Sequence, residues 1–220
     1  QFLSMANVAN KIDLCQTGDL LSVFRQCEIT QEHRLMTALT ADTGMGKTTS
    51  LRAFSTHETV FMVTVGKTMN AKGLFLKILE ALGISFDGNI HDVLLKIAET
   101  LNALENPLLI IDEAGKLNHV MTLYLHDLRE YTKENCGILL AGMPYFKTRL
   151  VKMAEKQKEG CSEFLRRINI WHELEGLTRK ETEYVCRLNG IVTGFKEYYN
   201  LRFGDLMNKI LLEQITNDKL

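Results

Sequence analysis

The sequence predicts an α/β fold: a parallel sheet flanked by helices, followed by a small helical lid. Three observations predict it. Short apolar runs at 35–41, 60–65, 108–112 and 137–141 have strand length and alternate with stretches of helical period, as strands joined by crossover helices do. The run Leu108-Leu109-Ile110-Ile111 is apolar on both faces, which a strand covered by helices on both sides requires. From about residue 176 onward the texture changes, and only helices are expected.

The helices follow from their stripes. Leu74, Ile78, Leu79 and Leu82 recur at three- and four-residue spacing, with Gly83 as a stop. Leu94, Ile97, Ala98, Leu101 and Leu104 form a second stripe ending before Pro107. Thr178 and Glu181 have capping-box spacing, in which a hydroxyl and a carboxylate satisfy the unpaired N–H groups at a helix start. The expected organisation is a mainly helical N-terminal segment over 1–34, an α/β domain over 35–175 and a helical lid over 176–220. Trp171, in an apolar strand-like run, is expected in the core.

Composition narrows the classes. The 220 residues are 45% hydrophobic and 24% charged, which excludes a disordered chain, a collagen and a coiled coil. The net charge of −1 gives no general reason for a nucleic-acid partner, so any such contact needs a local patch. Cys15, Cys27, Cys136, Cys161 and Cys186 are scattered and never form a CxxC pair, which suits a reduced, cytoplasmic setting. No apolar run approaches the roughly 20 residues of a membrane helix, and Gln1-Phe2-Leu3-Ser4 lacks a basic leader, so no membrane association is expected. The six histidines show no HxH or HxxxH spacing, and no zinc site is assigned.

Ala41-Asp42-Thr43-Gly44-Met45-Gly46-Lys47-Thr48 lies directly after an apolar strand and before a helical stretch. That is the setting of a phosphate-binding loop, whose glycines let N–H groups converge on phosphate oxygens at a helix N-terminus. Lys47 is expected to reach the β- and γ-phosphates and the Thr48 hydroxyl to hold Mg²⁺. The pattern normally begins with Gly. Ala41 is acceptable there if its φ stays negative. The strand 108–112 ends abruptly in Asp112 and Glu113. Asp112 suits a Mg²⁺ ligand and Glu113 a base that polarises water; the alternative is that both merely cap the next helix.

These two motifs resemble those of the AAA+ branch of the P-loop ATPases. Asp112-Glu113-Ala114, Leu139-Leu140-Ala141-Gly142-Met143-Pro144 and Phe164-Leu165-Arg166-Arg167-Ile168 further resemble the transposition-regulator subgroup, which includes the Mu phage target-selection ATPase, TnsC-like proteins and the secretion ATPase ExeA. The resemblance implies ATP bound by Thr43, Gly44, Met45, Gly46, Lys47, Thr48, Thr49 and Asp112, with Mg²⁺ on Thr48 and Asp112. It implies catalysis by Glu113, Lys47 and Arg167, the last an arginine finger acting on a neighbouring subunit, with Arg166 as the adjacent substitute. The bland alternative is that both arginines are solvated helix residues.

Two departures stand out. Met143 occupies the place of a polar γ-phosphate sensor, and Gly204-Asp205-Leu206-Met207-Asn208 lacks the usual sensor arginine unless Arg202 serves. Both point to slow or partner-stimulated hydrolysis. The stretch Tyr145 to Lys158 carries five cations against one acid and suits a phosphate backbone, or else a solvated helix face.

The function expected on this resemblance is an ATP-dependent regulator of DNA transposition. Its partners are double-stranded DNA, a transposase or similar protein, and further copies of itself in a homo-oligomer with ATP at subunit interfaces. A secretion-type assembly ATPase is one alternative. A replication initiator or loader is another; it would usually bring a winged-helix domain, for which the sequence beyond residue 216 looks too short.

Overall fold

The computed structural model describes residues 15–217. The part of the expected N-terminal segment before residue 15 lies outside the described residues. Five strands form one sheet: β1 (Met36–Thr40), β2 (Val60–Thr64), β3 (Leu108–Asp112), β4 (Gly137–Gly142) and β5 (Ile168–Glu173), in the order β2-β3-β4-β1-β5 with every neighbouring pair parallel. The four apolar runs are thus strands, and β1, β3 and β4 are buried at every position. β5 lies at the edge, which explains its mixed pattern: Asn169 and Glu173 are exposed, and Trp171 is only partly buried against the core rather than fully inside it.

Parallel neighbours require crossovers, and helices supply them. They are α2 (Lys47–Phe54), α3 (Ala71–Ala81), α4 (Ile90–Ala103), α5 (His119–Thr132), α6 (Tyr145–Glu155) and α7 (Cys161–Arg167). Alternate strand residues feed two cores. Leu109, Ile111, Ile138 and Leu140 pack with Leu74, Ile78, Ile97, Leu101 and Leu125 on one face, while Leu108, Ile110 and Leu139 pack with Leu51 and Phe54 on the other. Gly83 is left-handed (φ 73), as a helix stop requires.

A further helix, α1 (Gly18–Glu32), completes the second face with Val23 and Cys27. Its buried side also carries Gln26 and Thr30, and the Thr30 hydroxyl meets that of Thr37 in β1 at 2.6 Å. Gly137, at the start of β4, faces this helix. A Cβ there would collide with the Thr30 carbonyl and lie 2.8 Å from its carbon.

After β5 come α8 (Arg179–Leu188) and α9 (Phe203–Asn217), and residues 176–217 contain no strand. Thr178 and Glu181 form the capping box in full. Val185, Cys186, Tyr198, Leu206 and Ile210 make a small core of their own, which Cys15 joins from before α1.

Because Gly137 abuts backbone rather than a flexible side chain, Gly137→Ala should destabilise the fold by about 1–3 kcal/mol. Urea denaturation checks this, and an unchanged midpoint would mean that α1 does not press on β4.

Candidate functional site

In a parallel sheet all carboxyl ends lie along one edge. The chain leaves β1 to build β2, β3 and β4 on one side and returns to place β5 on the other. Such a reversal opens a crevice at the carboxyl end of β1, where ligands of open α/β sheets bind. The loop that follows β1 lies there. Gly44 and Gly46 are left-handed (φ 83 and 82), so both glycines are used for the conformation only they adopt readily. Ala41 is not among the positive-φ residues; its N–H donates to Gly142 O at 3.1 Å, and its methyl is buried in the core. Glycine's freedom is not needed at that position.

Lys47 opens α2 and is only 7% exposed. Among the described residues no carboxylate pairs with it. A buried cation beside a helix N-terminus, which is itself positive, is the electrostatic complement of phosphate. On the loop Thr43 is exposed and Met45 half-buried, and Thr49, in the first turn of α2, is exposed.

Asp112 ends β3, two strands from β1, and is fully buried. Its Oδ2 accepts the Thr48 hydroxyl at 2.9 Å and its Oδ1 accepts the Glu113 N–H at 2.8 Å. The structure therefore brings Thr48 and Asp112 together across the intervening strand. Glu113 has a left-handed backbone (φ 58) and makes no side-chain cap to the 3-10 turn Ala114–Lys116 that follows. Non-glycine residues in that region carry strain of about 1–3 kcal/mol and cluster at functional sites.

No cluster of three or more His, Cys, Asp and Glu able to hold a metal occurs among the described residues. A cation at Thr48 and Asp112 must therefore draw further ligands from water and phosphate oxygens. That donor set, hard oxygens with few from protein, fits Mg²⁺.

Other residues singled out in the sequence lie at varying distances from the loop. Met143 does sit beside the loop, its sulfur accepting the Thr43 hydroxyl at 3.6 Å. Arg202 reaches the loop from before α9: Nη2 lies 2.9 Å from Asp42 Oδ2, and Nη1 donates to Thr43 O at 3.4 Å. Gly204 N–H donates to Gly44 O at 2.6 Å, and a Cβ on Gly204 would stand 3.2 Å from Gly44 Cα. So the Gly204 region contacts the loop through backbone, with Arg202 beside it. Met207 lies on α9, partly buried against the small core.

Arg167 ends α7, at the start of β5, where Ile168 pairs with Met36. The loop follows the other end of β1, about 13 Å away along the strand. Arg167 Nη2 lies 2.5 Å from Glu130 Oε1, whereas Arg166 is exposed. The row of five cations over 145–158 is corrected in part. Arg149 turns inward to backbone carbonyls, and Lys147 lies over the Trp171 ring at 5.2 Å, which leaves Lys152, Lys156 and Lys158 exposed with no carboxylate partner among the described residues.

A narrow cleft of about 30 Å³ adjoins the loop, lined by Thr17, Asp19, Met45, Thr49, Leu177 and Phe203. Sequence reasoning missed Thr17, Asp19, Leu177 and Phe203, because they come from both ends of the chain. Asp19 accepts the N–H groups of Glu175 and Gly176, each at 3.0 Å. Burial pushes its carboxyl above the usual 3.8, against the pull of those two bonds. Next to it Glu181 accepts from Gly18 N–H at 2.5 Å and from the Thr178 hydroxyl at 2.6 Å.

The AAA domain family matches residues 30–150, more than half of the chain. The chain belongs to the AAA domain family. No curated protein matches it in sequence. Among solved structures, the ORC2 protein of Aeropyrum pernix in its ADP form is 16% identical, with a TM-score of 0.65 over 99% of this chain and 66% of that one. A Walker-type ATPase of Pyrococcus abyssi is 14% identical, with a TM-score of 0.57 over 99% and 78%. The ORC1 protein of Aeropyrum pernix in complex with DNA is 14% identical, with a TM-score of 0.54 over 77% and 47%. The chain thus spans about half to two thirds of the two ORC chains. At these identities the likeness is one of fold, the P-loop fold of AAA+ ATPases. No helix among the described residues is long and apolar enough to cross a membrane.

Glu181 supplies a pH test of the contact between α1 and α8. Burial raises its carboxyl, but the bonds from Gly18 and Thr178 outweigh it and hold the group below its usual 4.5. Its contribution to stability is therefore full above pH 4.5 and lost as the pH falls through the depressed value. The melting temperature of the wild type should exceed that of Glu181→Gln at neutral pH, and the gap should close in acid. A gap independent of pH would exclude the charged contact.

Proposed function

We propose that the chain is an ATP-dependent, DNA-binding AAA+ ATPase of transposition-regulator type, which assembles with ATP on double-stranded DNA and comes apart after hydrolysis. The observation that carries the ATP reading is Lys47, buried at the mouth of α2 with no carboxylate partner among the described residues. Bound ATP with Mg²⁺ would supply the phosphoanhydride to be broken. Lys47 and the N–H groups of Gly44 to Thr48 hold phosphate oxygens, and Thr48 and Asp112 hold the cation. Glu113 takes the proton of the attacking water. With Met143 in place of a polar sensor, turnover is slow until a partner acts.

DNA binding is supported by Lys152, Lys156 and Lys158 of the 145–158 region and by the ORC1 relative, whose structure contains DNA. The partner, a transposase or similar protein, rests on the motif resemblance alone. A replication-initiator reading comes second, favoured by the ORC2 fold aligning over 99% of the chain. DNA-independent assembly would instead favour the secretion-type reading.

Lys47→Ala should abolish ATP binding in a direct titration, while Glu113→Gln should bind ATP, fail to hydrolyse it and persist as assemblies on duplex DNA by electron microscopy. Unchanged affinity in the first, or parent-rate hydrolysis in the second, removes that residue's role.

The reading of Arg167 as a finger for a neighbouring subunit rests on the motif resemblance, and the roughly 13 Å of strand between it and its own loop is consistent with action on another chain. Arg167→Ala should keep ATP binding and lose about 10³-fold in turnover. Mixed with Lys47→Ala, it should regain activity that fades on dilution. A mixture that stays inactive while mixed assemblies form makes Arg167 structural.

A further inference from the structure

Before Arg167 can reach a neighbouring chain it has to leave its own. Its Nη2 lies 2.5 Å from Glu130 Oε1, which joins the last residue of α7 to the last turn of α5. A strong pair between arginine and carboxylate is a fork of two parallel hydrogen bonds. This one is not built that way. Arg167 Nε and Glu130 Oε1 are both shut off from solvent, and neither has a hydrogen-bond partner among the described residues. Charge holds the guanidinium here, while a buried donor left unmade is a standing penalty that an acceptor from outside would remove.

The neighbours of the pair are cations. Glu130 Oε2 faces Lys133 Nζ at 3.7 Å. Arg129, only 8% exposed, is fixed by bonds to Cys136 O at 2.9 Å and Arg34 O at 2.7 Å. Burial pulls its guanidinium below the usual 12.5; the charge of Glu130 opposes this and that of Arg167 adds to it. Arg167 therefore stands among like charges, and among the described residues Glu130 alone makes an ion pair with it. The Arg167 side chain is nevertheless 38% exposed, so another chain can take hold of it.

We propose that Glu130 is a positioning residue for Arg167: it keeps the arginine on its own chain until a second copy of this chain, carrying ATP, offers phosphate oxygens in its place. The tether rests on the reading of Arg167 as a finger. A trade of partners is all it requires. A triphosphate carries more charge than one carboxylate and presents oxygens to the whole guanidinium fork, including the Nε that has no acceptor at home. Association with ATP is then opposed by the pair that must open first, so Glu130 sets the concentration at which copies assemble.

The test is self-association of the full chain with ATP and Mg²⁺, followed by sedimentation velocity over a range of protein concentration. Glu130→Gln keeps the shape and drops the charge, and should lower the midpoint concentration about two- to fivefold, the range a partly exposed ion pair allows. In an Arg167→Ala background the same change should shift nothing, because no guanidinium is left to hold. A merely structural role would move both backgrounds alike. Lys133→Glu, at an exposed position, sets a second carboxylate beside the pair and should raise the midpoint, which serves even if Glu130→Gln folds poorly. A midpoint unchanged or raised in Glu130→Gln, an equal shift in both backgrounds, or no rise in Lys133→Glu overturns the tether. The finger reading fails separately: parent-rate hydrolysis by Arg167→Ala, or a wild type that stays monomeric with ATP at every concentration, removes it and leaves the tether nothing to hold. Loss of turnover in Arg167→Ala with no shift in Glu130→Gln removes the tether alone.

Discussion

Holding Lys47 nearly out of water is the constraint that organises the rest of the site. A desolvated cation is costly unless an opposite charge meets it, and the start of α2 adds further positive potential instead of relieving it. Most lysines escape by reaching solvent, but this one stands at the base of a loop whose two left-handed glycines wrap its backbone inward. The sheet supplies the rigidity that prevents relaxation, because β1 and β4 on either side of the loop's root are buried at every position. Among the described residues no carboxylate balances the arrangement, which is what makes it a fitting seat for the proposed phosphate.

The proposed cation needs oxygen donors, and the two candidates sit on different elements, Thr48 on α2 and Asp112 at the end of β3. Asp112 can approach Thr48 because β3, β4 and β1 are parallel neighbours in register, with Thr40 opposite Gly142 and Ile111 opposite Leu140. An antiparallel partner in place of β4 would break the common edge. The topology thus acts on the chemistry through a single hydrogen bond of 2.9 Å.

How much of this could be read from the sequence depended on distance along the chain. β1, β3 and β4 were legible because strands covered on both faces leave unbroken apolar runs. The loop after β1 and the Asp112-Glu113 pair were legible because each is a local cluster. α1 was not recognisable as a layer of the sheet, since its buried face includes Gln26 and Thr30 and its stripe is weak. The meeting of Gly204 with Gly44, of Arg202 with Asp42 and of Asp19 with Gly176 joins positions more than 150 residues apart, and no local pattern marks such pairs. Arg149 looked like one more surface cation because charge along a helix does not reveal which member turns toward distant carbonyls.

The C-terminal helices are fastened to the sheet at two places of unequal strength. Near residues 175–181, Asp19, Glu181 and the packing of Cys15 tie them to the start of the chain. At the loop they are held by one backbone bond from Gly204 and by the exposed Arg202, which pairs with Asp42 and donates to Thr43 O. Mechanically this is a pivot and a latch. The cleft of about 30 Å³ beside Thr49 and Phe203 widens if the latch lifts. Rotation of the α8–α9 unit about its pivot would turn a small opening there into a larger displacement at the far end of those helices.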